Sequence, residues 1–214
     1  MCGRYALHAS PEVVALQFGL ASVPAFEPRY NIAPAAQVLV VRDGGAAMVK
    51  WGLVPRWAKD PSMGARMNNA RAETVAEKPS FRDAFRRRRC LVPASGFYEW
   101  KLEHGLKQPY YVRPAAGELF AFAGLWERWE GPGGPLETCA VITTEPNAVM
   151  APIHERMPVI LDPSGYGDWL AGTGPLQPLL VPCSPGAITA HRVSRAVNDA
   201  RRDDPGLVDP EGGM

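Results

Sequence analysis

Cys2 is the first residue whose type and position suggest chemistry, because it directly follows Met1 and precedes Gly3. A small residue at position 2 suits removal of Met1, which leaves a cysteine with a free α-amine. An α-amine has a pKa of about 7.7–8.0 and a thiol one of about 8.5, so both groups are partly deprotonated near neutral pH. Such a 1,2-aminothiol condenses with an aldehyde to a Schiff base, and the thiol then closes a thiazolidine ring. On position alone, an incidental cysteine near a frayed terminus is the simpler interpretation.

Two further residues have side chains suited to moving protons. Glu99 lies in the otherwise apolar segment 96–100, and period-two alternation places it on the same strand face as Phe97. It is either an edge residue or a buried acid with a raised pKa, suited to general acid–base catalysis. His154 lies between two prolines on a constrained loop. It is either a proton shuttle or a hydrogen-bonded loop histidine.

Polar and basic segments surround these candidates. Segment 68–74 contains Asn69, which a turn would also explain, and Arg71 and Glu73, which a surface ion pair would also explain. Segment 51–59 interleaves two tryptophans with basic residues, and a further cationic block follows at Arg82 and Arg86 to Arg89. Cations together with aromatic platforms are typical of single-stranded nucleic-acid binding. A solvated helix face and a buried Trp51 explain the same residues.

The elements that must hold these side chains are predicted to be short. Helices are predicted at 12–19, where Ser10 caps the start and Gly19 ends the helix, within 78–89, and at 162–170. Strands are predicted at 37–41 and 46–51, joined by a turn at 43–45, and then at 90–101, 109–113, 119–126 and 138–144. Hairpin-linked strands are antiparallel, so we expect an α+β or mainly β fold. The residues 203–214 contain two prolines, three glycines and four acids, which predicts a disordered tail.

Composition and cysteine spacing exclude several classes of protein. The chain has 214 residues with a net charge of +1, which argues against a uniform polycation but leaves room for a local basic face. No linker long enough to separate two domains is visible. The four cysteines lack C-x-x-C spacing, which gives no support to a zinc ribbon. No apolar run of about 18 residues and no secretory signal occur, so we expect a cytoplasmic protein with free thiols and no membrane contact.

Taken in order, these segments resemble the SRAP family, the SOS-response-associated peptidases. The resemblance spans about residues 2 to 200, and its motifs are Met1–Tyr5, Arg29–Pro34, Trp51–Trp57, Asn69–Thr74, Cys90–Trp100, Ile153–Pro158 and Val193–Asn198. It implies one compact α+β domain over residues 1–202, mainly antiparallel β with a barrel-like core and a few short helices. It also implies autoproteolytic loss of Met1 and recognition of abasic sites in single-stranded DNA. The expected product is a covalent thiazolidine crosslink between Cys2 and that DNA.

The resemblance also assigns roles to single residues. Cys2 is the nucleophile, Asn69 positions it, Glu99 is the acid–base, and His154 serves the Schiff-base and ring chemistry. The DNA-binding set comprises phosphate ligands (Arg4, Arg71 and Arg156), residues that support the site (Asn31 and Thr143), and residues that wedge or stack near the lesion (Pro34 and Trp57). We expect a monomer that needs no cofactor and no metal, since the His and Cys residues show no metal-ligand spacing.

The residues themselves agree with this interpretation, because an abasic deoxyribose opens to the aldehyde that a 1,2-aminothiol requires. Two other functions stay open at this point. One is a thiol hydrolase in which Cys2, His154 and Asn69 act on amides or peptides. The other is a plain single-strand-binding module without a covalent step, whose binding would be reversed by salt. Whether an abasic-site lyase activity accompanies crosslinking is also left open.

Overall fold

The computed structural model describes residues 2–42 and 44–212. The strands are β1 (Tyr5–Leu7), β2 (Arg29–Ile32), β3 (Gln37–Arg42), β4 (Gly45–Trp51), β5 (Asn69–Arg71), β6 (Arg89–Ala94), β7 (Gly96–Glu103), β8 (Leu106–Pro114), β9 (Phe120–Gly131), β10 (Gly134–Thr144), β11 (Met157–Pro158), β12 (Ile160–Leu161) and β13 (Ile188–Arg192). The α-helices are α1 (Pro11–Gln17), α2 (Arg82–Arg87) and α3 (Tyr166–Ala171). Short 3-10 helices lie at Pro61–Arg66, Pro163–Gly165, Gln177–Leu179, Pro185–Ala187, Arg195–Asn198 and Pro205–Val208.

Five strands form a closed ring, which confirms the predicted barrel-like core. The order β10-β4-β3-β6-β9 closes on itself because β9 pairs with β10 again. These pairings are antiparallel except for β4 with β10, which is parallel. The interior is filled by side chains such as Val40, Val92 and Val141, all of which are fully buried or nearly so. β-Branched residues suit such a pleated, enclosed surface.

A second, five-stranded antiparallel sheet packs beside the barrel in the order β13-β8-β7-β1-β2. The chain passes from the barrel into this sheet at Ser95, whose hydroxyl oxygen accepts the backbone N–H of His8 at 3.0 Å. The strand predicted at 90–101 is therefore two strands in two sheets. Gly96 at the start of β7 permits the close approach of the Tyr111 ring, with which a Cβ there would collide.

The helices follow the predicted signals with shorter bounds. The Ser10 hydroxyl caps α1 by accepting the Val13 N–H, and Gly19 after the helix has a φ of +63°. α2 covers only part of the predicted 78–89 range, and it buries Phe81 and Phe85 as their i, i+4 spacing predicts. The predicted helix at 162–170 is a 3-10 turn followed by α3. In the predicted 43–45 turn, residue 43 lies outside the described residues. Among the described helices, none is long and apolar enough to cross a membrane.

Residues 203–212 correct the prediction of a disordered tail. Asp203 accepts the backbone N–H of Asn31 at 2.9 Å and pairs with the side chain of Arg29. Leu207 is buried, and the Glu211 N–H donates to the carbonyl of Arg192 at 2.8 Å. Composition alone does not reveal this order, because the partners lie far away in the sequence. Residues 213–214 lie outside the described residues.

Candidate active site

Cys2 lies just before β1 and is completely buried against the barrel core. Asn69, the first residue of β5, donates its Nδ2–H to the carbonyl oxygen of Cys2 at 2.7 Å. β5 itself has only three residues and is held by parallel pairing with β10, where Asn69 lies opposite Val141. The structure therefore places the Asn69 amide in direct contact with the backbone of residue 2.

Glu99 is a buried acid and not an edge residue. Its strand β7 lies between β1 and β8, and the side chain is only 2% exposed. The predicted alternation is confirmed, because Phe97 belongs to the same core cluster as Cys2 whereas Tyr98 packs on the opposite side of the sheet. Burial raises the pKa of Glu99 to about 7. The carboxyl group can therefore both donate and accept a proton near neutral pH.

His154 meets Glu99 from the loop that follows β10. Its Nε2 lies 3.8 Å from the Glu99 Oε2, and its Nδ1 accepts the backbone N–H of Arg156 at 3.0 Å. Burial lowers the pKa of His154, which favours the neutral ring. His154 is thus a hydrogen-bonded loop histidine, and it is also the neighbour of the buried acid.

The thiol of Cys2 is not activated by its surroundings. Burial, followed by the negative charge of Glu99, raises the pKa of Cys2 well above its ordinary value. A thiol in this environment stays protonated at neutral pH, so it needs a neighbouring base to react. Glu99 is the acid whose charge acts on this thiol, and His154 lies beside Glu99.

Arg156 and Thr143 join the two segments that form one side of the site. Arg156 donates from Nη2 to the Thr143 carbonyl at 2.7 Å and to Glu73 at 3.0 Å. Glu73 thus pairs with Arg156 and not with Arg71, which is exposed at the end of β5. The Thr143 side chain is fully buried, and its hydroxyl donates to the carbonyl of Ala70 on β5 at 3.4 Å.

Arg4 and Asn31 form a second supporting contact, two residues from Cys2. Arg4 donates from Nη1 to the Asn31 Oδ1 at 2.8 Å and to the carbonyl of Val197 at 2.9 Å. Asn31 is 1% exposed and donates from Nδ2 to the Arg202 carbonyl at 2.8 Å. Asn31 therefore links Arg4 to the segment after Val193.

The remaining DNA-binding candidates lie on the surface. Trp57 is 56% exposed, and its Nε1–H donates to the carbonyl of Pro79 at 3.3 Å. Pro34 is half-buried in the turn after β2. Trp51 is a core residue at 1% exposure, as its alternative interpretation holds.

The cationic block predicted at 86–89 is only partly a surface feature. Arg89 is buried and donates from Nε to the carbonyl of Trp169 at 2.6 Å. Arg88 forms an ion pair with the buried Glu127 at 2.7 Å. Both arginines stabilise the attachment of α2, so the block available to a ligand is smaller than the sequence suggests.

Two residues that the sequence analysis did not single out hold the loop that carries Trp57. The Trp129 indole N–H donates to the Ala58 carbonyl at 2.7 Å, and the buried Thr138 hydroxyl accepts the Val54 N–H at 2.9 Å. Gly52 lies at a φ of +133° against the backbone of the Pro61–Arg66 helix, where a Cβ would come within 2.6 Å of a carbonyl oxygen. We call the two contacts that Trp129 and Thr138 make with this loop the Trp57 clamp. Thr138, a threonine in an apolar strand, is the one sequence signal for it.

Known proteins resemble the chain over nearly its whole length. A family model described as SOS response associated peptidase matches residues 1–200. The abasic site processing protein YoqW of Bacillus subtilis is 42% identical over 222 residues, covering 98% of this chain and 99% of that protein. The abasic site processing protein HMCES of Xenopus tropicalis is 34% identical, covering 84% of this chain and 65% of that protein.

Solved structures show the same fold. A protein from Bacteroides thetaiotaomicron superposes with a TM-score of 0.91 at 27% identity, covering 98% of this chain and 100% of that one. A phage-related protein from Bordetella bronchiseptica superposes with a TM-score of 0.71 at 29% identity, covering 91% and 95%. The arrangement of barrel and second sheet is therefore shared with experimentally determined structures.

Proposed function

The chain belongs to the SOS response associated peptidase family, and from that premise we propose that it processes abasic sites in single-stranded DNA by crosslinking them to Cys2. One observation carries the proposal: Glu99, a buried acid with a pKa of about 7, lies 3.8 Å from His154 and close enough to Cys2 for its charge to add to burial in raising the pKa of the thiol. That acid suits a reaction that must protonate a departing hydroxyl group and then remove the proton of the attacking thiol.

The proposed reaction begins once Met1, which lies outside the described residues, has been removed. The α-amine of Cys2 adds to the aldehyde carbon of the opened deoxyribose, and the adduct loses its hydroxyl group as water. Protonated Glu99 supplies the proton that the departing hydroxyl needs. The Cys2 sulfur then adds to the imine carbon, and the thiol proton ends on the ring nitrogen by way of the Glu99 carboxylate or His154. One water is released overall, and the same groups catalyse the reverse reaction.

The positions of the cationic and aromatic residues support a DNA strand as the substrate. Arg71 and Trp57 are exposed, Arg4 lies two residues after Cys2, and Arg156 lies two residues after His154. Arginines that meet phosphates and a tryptophan that stacks on a base, worth about 1–3 kcal/mol, favour a flexible single strand. We place Asn31 and Thr143 behind these residues as supports.

Peptide hydrolysis enters this proposal only as self-processing. Release of Met1 is the hydrolysis of one peptide bond, whereas a general thiol hydrolase requires a cysteine with a lowered pKa next to a histidine. Burial raises the pKa of Cys2 instead, and His154 faces Glu99. We assign lyase activity to the imine stage, since an imine that fails to close its ring can undergo β-elimination and cut the strand.

Intact-mass spectrometry tests the proposal directly. The purified protein is expected to lack Met1, and incubation with an abasic single-stranded oligonucleotide should add the oligonucleotide mass less one water. A tetrahydrofuran analogue, which has no aldehyde, serves as the control and should give no adduct. A Cys2→Ala variant should lose the heat-stable adduct but retain one that borohydride traps. A heat-stable adduct of Cys2→Ala without borohydride would overturn the thiazolidine mechanism.

A further inference from the structure

Positive charge is concentrated in one segment of the chain. Residues 56–87 contain eight lysines and arginines against four acids, whereas the whole chain has a net charge of only +1. Four of these cations form what we call the α2 basic face: Lys78, Arg82, Arg86 and Arg87, all exposed. The mechanism proposed above uses none of them.

The α2 basic face points outward because the opposite side of the helix is buried. Phe81, Ala84 and Phe85 are buried against the barrel, so the arginines between them must point outward. Arg82 and Arg86 are four residues apart and therefore neighbours on the helix surface, where like charges repel. Within residues 2–42 and 44–212, neither has an ion pair or a side-chain hydrogen bond. An anionic ligand would relieve this repulsion.

The α2 basic face adjoins the loop that carries Trp57 at both ends of the helix. Before α2, the Trp57 indole donates to the Pro79 carbonyl at 3.3 Å. After α2, Arg88 pairs with Glu127 on β9, the strand whose Trp129 holds the loop at Ala58. The exposed aromatic platform and the cationic helix face are therefore continuous on the surface.

We propose that the α2 basic face binds the phosphate backbone of the DNA strand that continues past Trp57 on one side of the abasic site. This inference rests on the proposed function and extends it, because it adds a binding surface for undamaged nucleotides. Contacts to phosphates carry no sequence information. The surface would hold a strand in register with Cys2 whatever the bases around the lesion.

The salt dependence of binding to an undamaged single strand tests the surface without any covalent step. Each phosphate contact on a single strand contributes about 0.7 to the slope of log affinity against log salt. The double variant Arg82→Gln/Arg86→Gln should therefore lower the slope by about 1.4. The control Lys107→Gln/Arg113→Gln removes the same charge from exposed positions on β8 and should leave the slope nearly unchanged. An equal decrease of the slope in both double variants would show that only the net charge of the protein matters, and this would overturn the proposal.

A length series tests the direction of the strand. Abasic oligonucleotides are extended separately on the 5′ and the 3′ side, and single-turnover crosslinking is measured below saturation. Wild type should gain rate with extension on one side, and Arg82→Gln/Arg86→Gln should lose that gain while crosslinking the shortest oligonucleotide normally. Arg82→Lys/Arg86→Lys should restore it, and no variant should unfold at a lower temperature than wild type.

The two proposals fail separately in these experiments. If wild type shows the salt slope and the variant lowers it, but no abasic oligonucleotide is crosslinked, the proposed function is wrong and the surface stands as a DNA-binding site. If crosslinking is normal but neither slope nor length dependence changes in the variant, the surface is wrong and the proposed function stands.

Discussion

Glu99 shows how one position in a sheet sets the chemistry of one side chain. An acid on an edge strand would be solvated and ionised, whereas a central strand removes Glu99 from water and raises its pKa to about 7. The same burial leaves the Cys2 thiol protonated, because its negative form is disfavoured there. Burial is therefore the main cause of the pKa shifts of Glu99, Cys2 and His154.

Replacing Glu99 by Gln keeps the shape of the side chain and removes proton transfer. Loss of one acid–base group typically costs 10²–10⁴-fold in rate. We expect crosslink formation and crosslink reversal to slow together, since a catalyst acts in both directions. A gel time course with a single-stranded abasic oligonucleotide, followed by a competitor aldehyde scavenger, measures both rates. A variant that matches wild type in both directions would make Glu99 a structural acid.

The same substitution has a second signature, in stability against pH. Glu99 has a native pKa of about 7 against an ordinary value of 4.5. Between these values the native state holds a proton that the unfolded state has released, so this group lowers the free energy of unfolding as pH rises. The loss is about 3 kcal/mol by pH 8 and absent below pH 4.5. In urea unfolding, the stability of Glu99→Gln relative to wild type should increase between pH 4.5 and 8. A difference in the free energy of unfolding that stays constant with pH would contradict the raised pKa of Glu99.

At the scale of elements, the loop that carries Trp57 is held rigidly although it has no regular structure. Trp129→Phe keeps the aromatic packing but leaves the Ala58 carbonyl without its indole donor, at a cost of about 1–3 kcal/mol. We expect single-strand binding to weaken severalfold, because the platform loses its fixed position. Fluorescence anisotropy with an undamaged oligonucleotide measures this.

Trp126→Phe is the matched control for that prediction. Trp126 lies on the same strand β9, and its ring packs under the Arg42 guanidinium at 4.2 Å, away from the loop. Its substitution should leave DNA affinity unchanged. Equal affinities for Trp129→Phe and Trp126→Phe would show that the clamp does not position Trp57.

How well sequence predicts an element depends on whether its causes are local. The cap of α1, its terminal glycine and the two strands β3 and β4 were predictable because turn and capping residues act within a few positions. β5 has three residues and exists only through its parallel pairing with β10, so no periodicity reveals it. The family motif therefore predicts a role for Asn69, whereas only the structure shows that its amide donates a hydrogen bond to the Cys2 carbonyl.

At the scale of the whole molecule, the segment after Val193 closes the fold onto β2. Asp203 accepts backbone N–H groups of Tyr30 and Asn31, so Asp203→Ala would leave both without their acceptor. We expect a loss of about 1–3 kcal/mol in the free energy of unfolding. The control is Asp209→Ala, an exposed acid near the same end. Equal stability of the two variants in urea would contradict an anchoring role for Asp203.

The contact between Arg4 and Val197 has a consequence for biosynthesis. Arg4 and Asn31 emerge early from a ribosome, but the carbonyl groups they require belong to residues 197–202. A nascent chain can complete the barrel strands and still lack the support behind Cys2. Cys2 therefore reaches its full environment only after the chain has been synthesised through residue 202.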